Sequence, residues 1–132
     1  IYNSTMPDPL VRHTSWFVSY PLDPDAMRKA AEYIRGRHDF KSFCNIHTHV
    51  EDTVRTVYSL DVEKQGNMFT VRVRGNGFLY NMVRIIAGTL VQVGRGFMPA
   101  ERVKEIIEAK DRETAGPTAP PQGLVLVGIE YP

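Results

Sequence analysis

Residues 72–96 read RVRGNGFLYNMVRIIAGTLVQVGRG, and the other elements of the chain can be placed around this segment. Between Gly75 and Gly94 the only charged residue is Arg84, which stands in an otherwise neutral and largely apolar run. Removing an unpaired guanidinium from water costs more free energy than a helix gains by carrying it, so Arg84 is expected to face an anion or a cleft. Its planar fork fits a carboxylate or a phosphate.

A helix is predicted over residues 78–93, ended by Gly94 and Gly96. Because it is apolar nearly all round, it is expected to be buried on more than one side. The small pair Ala87 and Gly88 would let another backbone come close to it.

Upstream of this helix the hydrophobic pattern alternates with a period of two, which predicts an antiparallel hairpin with a turn at residues 65–67. The apolar set is expected to face inward and comprises Tyr58, Leu60, Val62, Phe69, Val71 and Val73. Arg72 and Arg74 then share the opposite face of the second strand, open to solvent or a ligand. The competing interpretation pairs them with Asp61 or Glu63 across the hairpin.

Two amphipathic helices are predicted, one before this hairpin in the sequence and one after it. The first begins at the cap Asp23-Pro24 and stops at Gly36, and the second opens at residues 99–101. The basic residues after the first helix are interpreted as a solvated helix end, and residues 39–43 as a turn that packs against the core.

A last strand is predicted over residues 124–129, central in the sheet because it is apolar on both faces. The expected fold class is α+β, an antiparallel sheet covered on one face by helices, in a single domain over residues 1–132.

Composition narrows the function classes. The 132 residues carry a net charge of only +1, but residues 64–100 contain no Asp or Glu and hold five basic side chains, so a local positive surface is as plausible as scattered solvated arginines.

No apolar run is long enough to span a bilayer, which predicts a soluble, cytoplasmic protein. Cys44, His47 and His49 lack the paired spacing of a zinc site, and no metal is predicted. The apolar start at Ile1 indicates a piece of a longer protein.

The chain resembles tRNA pseudouridine synthases of the TruA type. The resemblance rests on GFLYNMVRIIAGTL followed by VGRG, on the upstream DFKSF and on the closing APPQGLVLVGIEYP, in family order over nearly the whole chain. It implies the C-terminal half of the pseudouridine synthase fold. It also implies isomerisation of uridine to pseudouridine in the anticodon stem-loop of tRNA, at positions 38 to 40, without metal or organic cofactor.

The resemblance also assigns roles to residues. Arg84 corresponds to the arginine that pairs with the nucleophilic aspartate of the family, and Leu124 and Phe78 to residues of the substrate pocket. Arg72, Arg74 and Arg95 are candidates for contacts to the tRNA backbone. Family members are homodimers whose tRNA lies across both subunits.

The sequence departs from the family at one decisive point. The aspartate of the family lies in an N-terminal GRTDxGVH motif, and these 132 residues contain no such motif. The chain alone is therefore predicted to be inactive, since a covalent mechanism needs its carboxylate. Two other hypotheses stay open: a non-catalytic RNA-binding or dimerisation module, and a small-molecule-binding domain that uses Arg84 for a carboxylate ligand.

Overall fold

The computed structural model describes residues 1–11, 14–44 and 52–124. A five-stranded sheet has the order β2-β1-β5-β4-β3, formed by β1 (Tyr2–Asn3), β2 (Phe17–Val18), β3 (Gly36–Asp39), β4 (Val54–Gln65) and β5 (Met68–Gly75). Three α-helices accompany it: α1 (Pro24–Ile34), α2 (Met82–Gly94) and α3 (Arg102–Ala109). The α+β class and the central hairpin are thus confirmed.

The hairpin of β4 and β5 departs from simple alternation at a β-bulge between Val57 and Ser59. A bulge places one extra residue in one strand and so reverses which side chains face the core. Val57 is consequently buried, whereas Tyr58 is 55% exposed. The prediction that Tyr58 faces inward with Leu60 and Val62 was therefore wrong.

Two further predictions about the sheet need correction. The expected antiparallel arrangement does not hold throughout, because the short strands β1 and β2 pair in parallel. The segment interpreted as a solvated helix end forms β3, which pairs antiparallel with β4 from Gly36 to Asp39. Gly36 has φ +109, a conformation open to glycine that turns the chain out of α1 and into this strand.

Helix α1 follows the predicted chemistry. The Asp23 carboxylate accepts hydrogen bonds from the backbone N–H groups of Asp25 and Ala26, and Pro24 occupies the first helical position. Its predicted inward face is buried and joins a single apolar cluster with residues of α2, α3, β4 and β5. Phe40 and Phe43 are fully buried in the same cluster, so residues 39–43 plug the core as predicted. Among the described residues, no helix has the length and apolar character needed to cross a membrane.

The buried helix α2 begins four residues later than the sequence pattern predicted. Asn81, the residue before its first turn, has a left-handed backbone with φ 61, so the helix cannot extend back through it to Phe78. Asparagine is among the few residues that adopt this conformation at modest cost. Phe78 instead packs against Gly75 at the end of β5, where the ring lies 3.2 Å from the position a Cβ would take.

The last predicted strand, residues 124–129, lies almost wholly outside the described residues. Leu124 is described and directly follows a 3₁₀ turn at Pro121–Gly123. It has extended backbone but belongs to no strand.

Candidate functional site

Arg84 lies in the first turn of α2, and its guanidinium is held by two neighbours. Its Nε donates to the carbonyl oxygen of Ala119 at 2.7 Å, and its Nη1 donates to Oδ1 of Asn81 at 3.1 Å. The backbone carbonyl of Arg84 in turn accepts from the N–H of Ala119 at 3.0 Å. The side chain is partly buried and forms no ion pair with any described residue.

The sequence predicted an anion as the partner of Arg84, whereas the described partners are two uncharged oxygen atoms. The guanidinium binds a carbonyl and an amide oxygen, which orient it without neutralising its charge. Nη2 donates no hydrogen bond to a described residue, so part of the fork stays available for an anion. Arg84 is thus a positioned cation at the N-terminal end of a helix, where the helix dipole also favours negative charge.

The segment that carries Ala119 is held tightly against α2. A Cβ on Gly88 would lie 1.6 Å from the carbonyl oxygen of Pro117, so glycine alone permits this approach. Thr89 Oγ1 accepts from the N–H of Gly116 at 3.0 Å. The close backbone contact predicted from the Ala87-Gly88 pair is therefore present, and it fixes the carbonyl that orients Arg84.

Arg112 also holds this segment through two hydrogen bonds. Its Nη1 donates to the carbonyl oxygen of Gly116 at 2.9 Å, and its Nη2 donates to Thr118 Oγ1 at 3.2 Å. With the contacts to α2, these bonds tie both ends of residues 116–119 to neighbouring groups.

The other two residues assigned to the substrate pocket are partly exposed. Phe78 has 42% of its surface exposed and Leu124 51%. Leu124 follows Ala119, the partner of Arg84, by five residues along the chain. Their roles in substrate binding stay predictions.

Arg72 and Arg74 extend from the exposed face of β5, as the alternation predicted. Arg72 Nη1 lies 3.8 Å from Glu63 Oε1, and both side chains are largely exposed. The ion pair with Glu63, the alternative to a ligand contact for Arg72, is therefore present, but at a long distance and open to solvent. An exposed pair of this kind contributes at most about 1 kcal/mol and can be exchanged for a phosphate. The Arg74 guanidinium lies 5.9 Å from the centroid of the Tyr58 ring, which the bulge turned to this face.

Arg95 lies at the other end of α2 and differs from the hairpin arginines. Its guanidinium carbon is 3.8 Å from the ring centroid of Tyr20 and 3.7 Å from that of Phe97. The sequence pattern gave no sign of this cluster, because Tyr20 is distant along the chain.

Sequence reasoning missed two partners of Arg84. Asn81 could have been found from its place three residues before Arg84 at a helix start, a spacing that brings side chains together. The Ala119 carbonyl could not, since every residue carries that group. Among the described residues no cluster of His, Cys, Asp and Glu could hold a metal ion, and His47 and His49 lie outside those residues.

The fold and this arginine define a class of protein: an α+β domain in which a helix N-terminus presents a cation and a sheet face carries further arginines. Comparison with known proteins assigns the family. The family model described as tRNA pseudouridine synthase matches residues 30–132, and the chain belongs to this family.

Curated relatives agree with the family model. The chain is 58% identical over 114 residues to a tRNA pseudouridine synthase A of Brevibacillus brevis, covering 86% of this chain and 47% of the relative. It is 48% identical over 131 residues to the protein of that name in Bacillus subtilis, covering 99% of this chain and 53% of the relative. The chain thus spans about half the length of the curated relatives it matches, and the resemblance to the TruA-type family is confirmed.

Proposed function

We propose that this chain supplies the arginine side of the active site of a tRNA pseudouridine synthase. The reaction is the isomerisation of uridine to pseudouridine in the anticodon stem-loop of tRNA, at positions 38 to 40. The observation that carries the proposal is Arg84, whose guanidinium is oriented by Ala119 and Asn81 while Nη2 is left for an anion. The relatives of matching sequence bear the name tRNA pseudouridine synthase A.

The chemistry asks two things of this part of the enzyme. The target base must leave its stack and enter a pocket, and a carboxylate must stay ionised and aimed at the nucleoside. Arg84 meets the second need, because a nearby guanidinium favours the charged form of a carboxylate and holds it in place. The motif that carries the aspartate in the family does not occur in these 132 residues, so the chain alone is expected to be inactive.

The hairpin arginines have the supporting role of holding tRNA phosphates. Arg72 and Arg74 project from one exposed strand face, and the loose Glu63 partner of Arg72 can be replaced by phosphate. Each lost phosphate contact should weaken binding and lower the salt dependence by about one counterion. Unchanged salt dependence in both Arg72→Ala and Arg74→Ala would favour purely intramolecular pairing.

The decisive test joins this chain to the N-terminal half of the Bacillus subtilis relative and measures tritium release from C5-tritiated uridine in tRNA. The joined protein should be active, the chain alone inactive, and Arg84→Lys should lower the rate by at least about 100-fold, the order of a lost positioning group. Lysine keeps the charge but loses the fork. Arg102→Lys, an exposed arginine paired with Glu105 on α3, is the matched control.

Two outcomes would count against this proposal. Full activity in the Arg84→Lys protein would show that the guanidinium fork of Arg84 does not matter. A joined protein that binds tRNA without releasing tritium would favour the alternative of a non-catalytic RNA-binding or dimerisation module.

A further inference from the structure

A cluster of one arginine and two aromatic rings lies at the C-terminal end of α2. We propose that Tyr20, Arg95 and Phe97 form a binding site for single-stranded RNA, in which Arg95 holds a phosphate and the Phe97 ring stacks on an unpaired base. The inference rests on the proposed function for the identity of its ligand as RNA. It assigns a further contact point, separate from Arg84 and from the hairpin arginines.

Both rings lie close to the guanidinium of Arg95. The ring centroids of Tyr20 and Phe97 are 3.8 and 3.7 Å from the guanidinium carbon, within the range of cation–π contacts. None of the guanidinium N–H groups of Arg95 donates a hydrogen bond to a described residue, and Arg95 has no carboxylate partner among those residues.

Backbone geometry holds Arg95 and Phe97 in place. The N–H of Gly96 donates to Val93 O at 3.1 Å and that of Phe97 donates to Gln92 O at 3.0 Å. With φ +84 at Gly96, this is the Schellman helix end, which fixes the residues on both sides of the glycine. The backbone that carries Arg95 and Phe97 is therefore fixed before any ligand arrives.

A second backbone bond brings Tyr20 to the same point. The N–H of Asp23 donates to the carbonyl oxygen of Gly94 at 2.9 Å, which joins the segment before α1 to the end of α2. Backbone hydrogen bonds from two segments that are far apart in sequence thus bring the three residues of the cluster together. Such preorganisation reduces the entropy lost when a ligand orders the side chains.

The chemistry of the cluster matches a nucleotide. An arginine fork recognises phosphate through paired N–H donors, and every base offers a face that stacks on an aromatic ring. Phe97 is 67% exposed and Tyr20 53% exposed with Arg95 beside them, so both residues leave surface that a base can contact. Protein interfaces are also enriched in aromatic residues and Arg, so a protein contact is the competing occupant that the test has to separate from RNA.

The cluster is also placed to extend a strand bound at Arg84. Eleven residues separate Arg84 from Arg95, which corresponds to about 16 Å along the helix and a return to roughly the same side of its axis. An RNA strand that joins the two points must pass over residues 116–119, which cover the stripe of α2 between them.

The test measures binding of this chain to fluorescein-labelled decauridylate, to an abasic phosphodiester of the same length, and to tRNA. Phe97→Ala should weaken decauridylate binding by about 5-fold or more, the cost of one lost stacked base, and leave abasic binding nearly unchanged. Phe97→Tyr should bind as the unsubstituted chain does. Arg95→Gln should weaken binding to both oligonucleotides and lower the salt slope by about one contact.

The controls are Leu10→Ala, a change at an 89% exposed apolar residue, and Arg102→Gln, a change at an exposed arginine. Both should bind as the unsubstituted chain does, and circular dichroism should show all variants folded. Sedimentation of Phe97→Ala should match that of the unsubstituted chain.

Three results would overturn the inference. One is decauridylate binding that is equal in Phe97→Ala and Phe97→Tyr, and another is no RNA binding by the unsubstituted chain. The third is a change of oligomeric state in Phe97→Ala with RNA binding intact, which would identify a protein contact. If the two Phe97 variants bind decauridylate equally while the joined protein still releases tritium, only this binding site is rejected. If Phe97→Ala weakens decauridylate binding but the joined protein releases no tritium, only the proposed reaction is rejected.

Discussion

At the scale of single residues, the orientation of Arg84 depends on atoms that carry no charge. The Ala119 carbonyl and the Asn81 amide fix the guanidinium, and the close approach at Gly88 fixes the carbonyl. The left-handed backbone of Asn81 both starts α2 and places its side chain beside the arginine. The residues of the NMVR motif therefore depend on one another.

Gly88→Ala should be strongly destabilising. The added methyl group would lie 1.6 Å from the Pro117 carbonyl oxygen, and since that atom belongs to the backbone, the segment must move away. We expect a loss of about 3 kcal/mol or more in the free energy of unfolding, at the upper end for overpacked cores, measured by urea denaturation.

Gly66→Ala is the comparison for this prediction. Its Cβ would meet nothing within 4 Å, so it should show only the cost of its left-handed backbone, about 1–2 kcal/mol. An equal loss in the two variants would mean that the segment beside Gly88 yields easily and does not hold Arg84 in place.

At the scale of elements, local chemistry determined where α1 begins, whereas contacts between strands determined the details of the sheet. The Asp23-Pro24 start was readable because a cap acts within three residues. The bulge at Val57/Ser59 was not, since it depends on how β4 meets β5. The same holds for β3, four residues long, which exists through its pairing with β4.

Asp23→Ala should destabilise the protein by about 1 kcal/mol, because two N–H groups at the start of α1 lose their acceptor. Asp23→Asn keeps an oxygen at the same place and should cost only a few tenths of that amount. Thermal unfolding followed by circular dichroism would compare the two. A loss as large in Asp23→Asn would show that charge, and not the capping bond, is what matters there.

At the scale of the whole molecule, one apolar core joins all three helices to the hairpin. Cys44 lies in this core, so the reactivity of its thiol can be used to measure how well the core is packed. Burial raises the pKa of the Cys44 thiol above its ordinary value. The folded state therefore favours the protonated thiol, and this contribution to stability is present below the ordinary thiol pKa and lost as the pH rises through the raised one.

Cys44 should consequently react slowly with a disulfide reagent in the folded protein and quickly once the core opens. The residue is 2% exposed, and the thiolate that reacts is scarce. The labelling rate measured across a urea series should follow the fraction unfolded. Fast labelling without urea would contradict the packing of Cys44 in the core.

The sequence by itself determined the helical and strand periods, the cap of α1, the small pair that admits a backbone and the motif of the family, because each is a local pattern of residue types. Only the tertiary structure decided what surrounds each arginine. Arg84 meets a carbonyl 35 residues away, and Arg95 meets Tyr20 across the helix end. Contacts between segments distant along the chain leave no periodic signal, and a backbone carbonyl is the same in every residue, so neither could be read before the chain was folded.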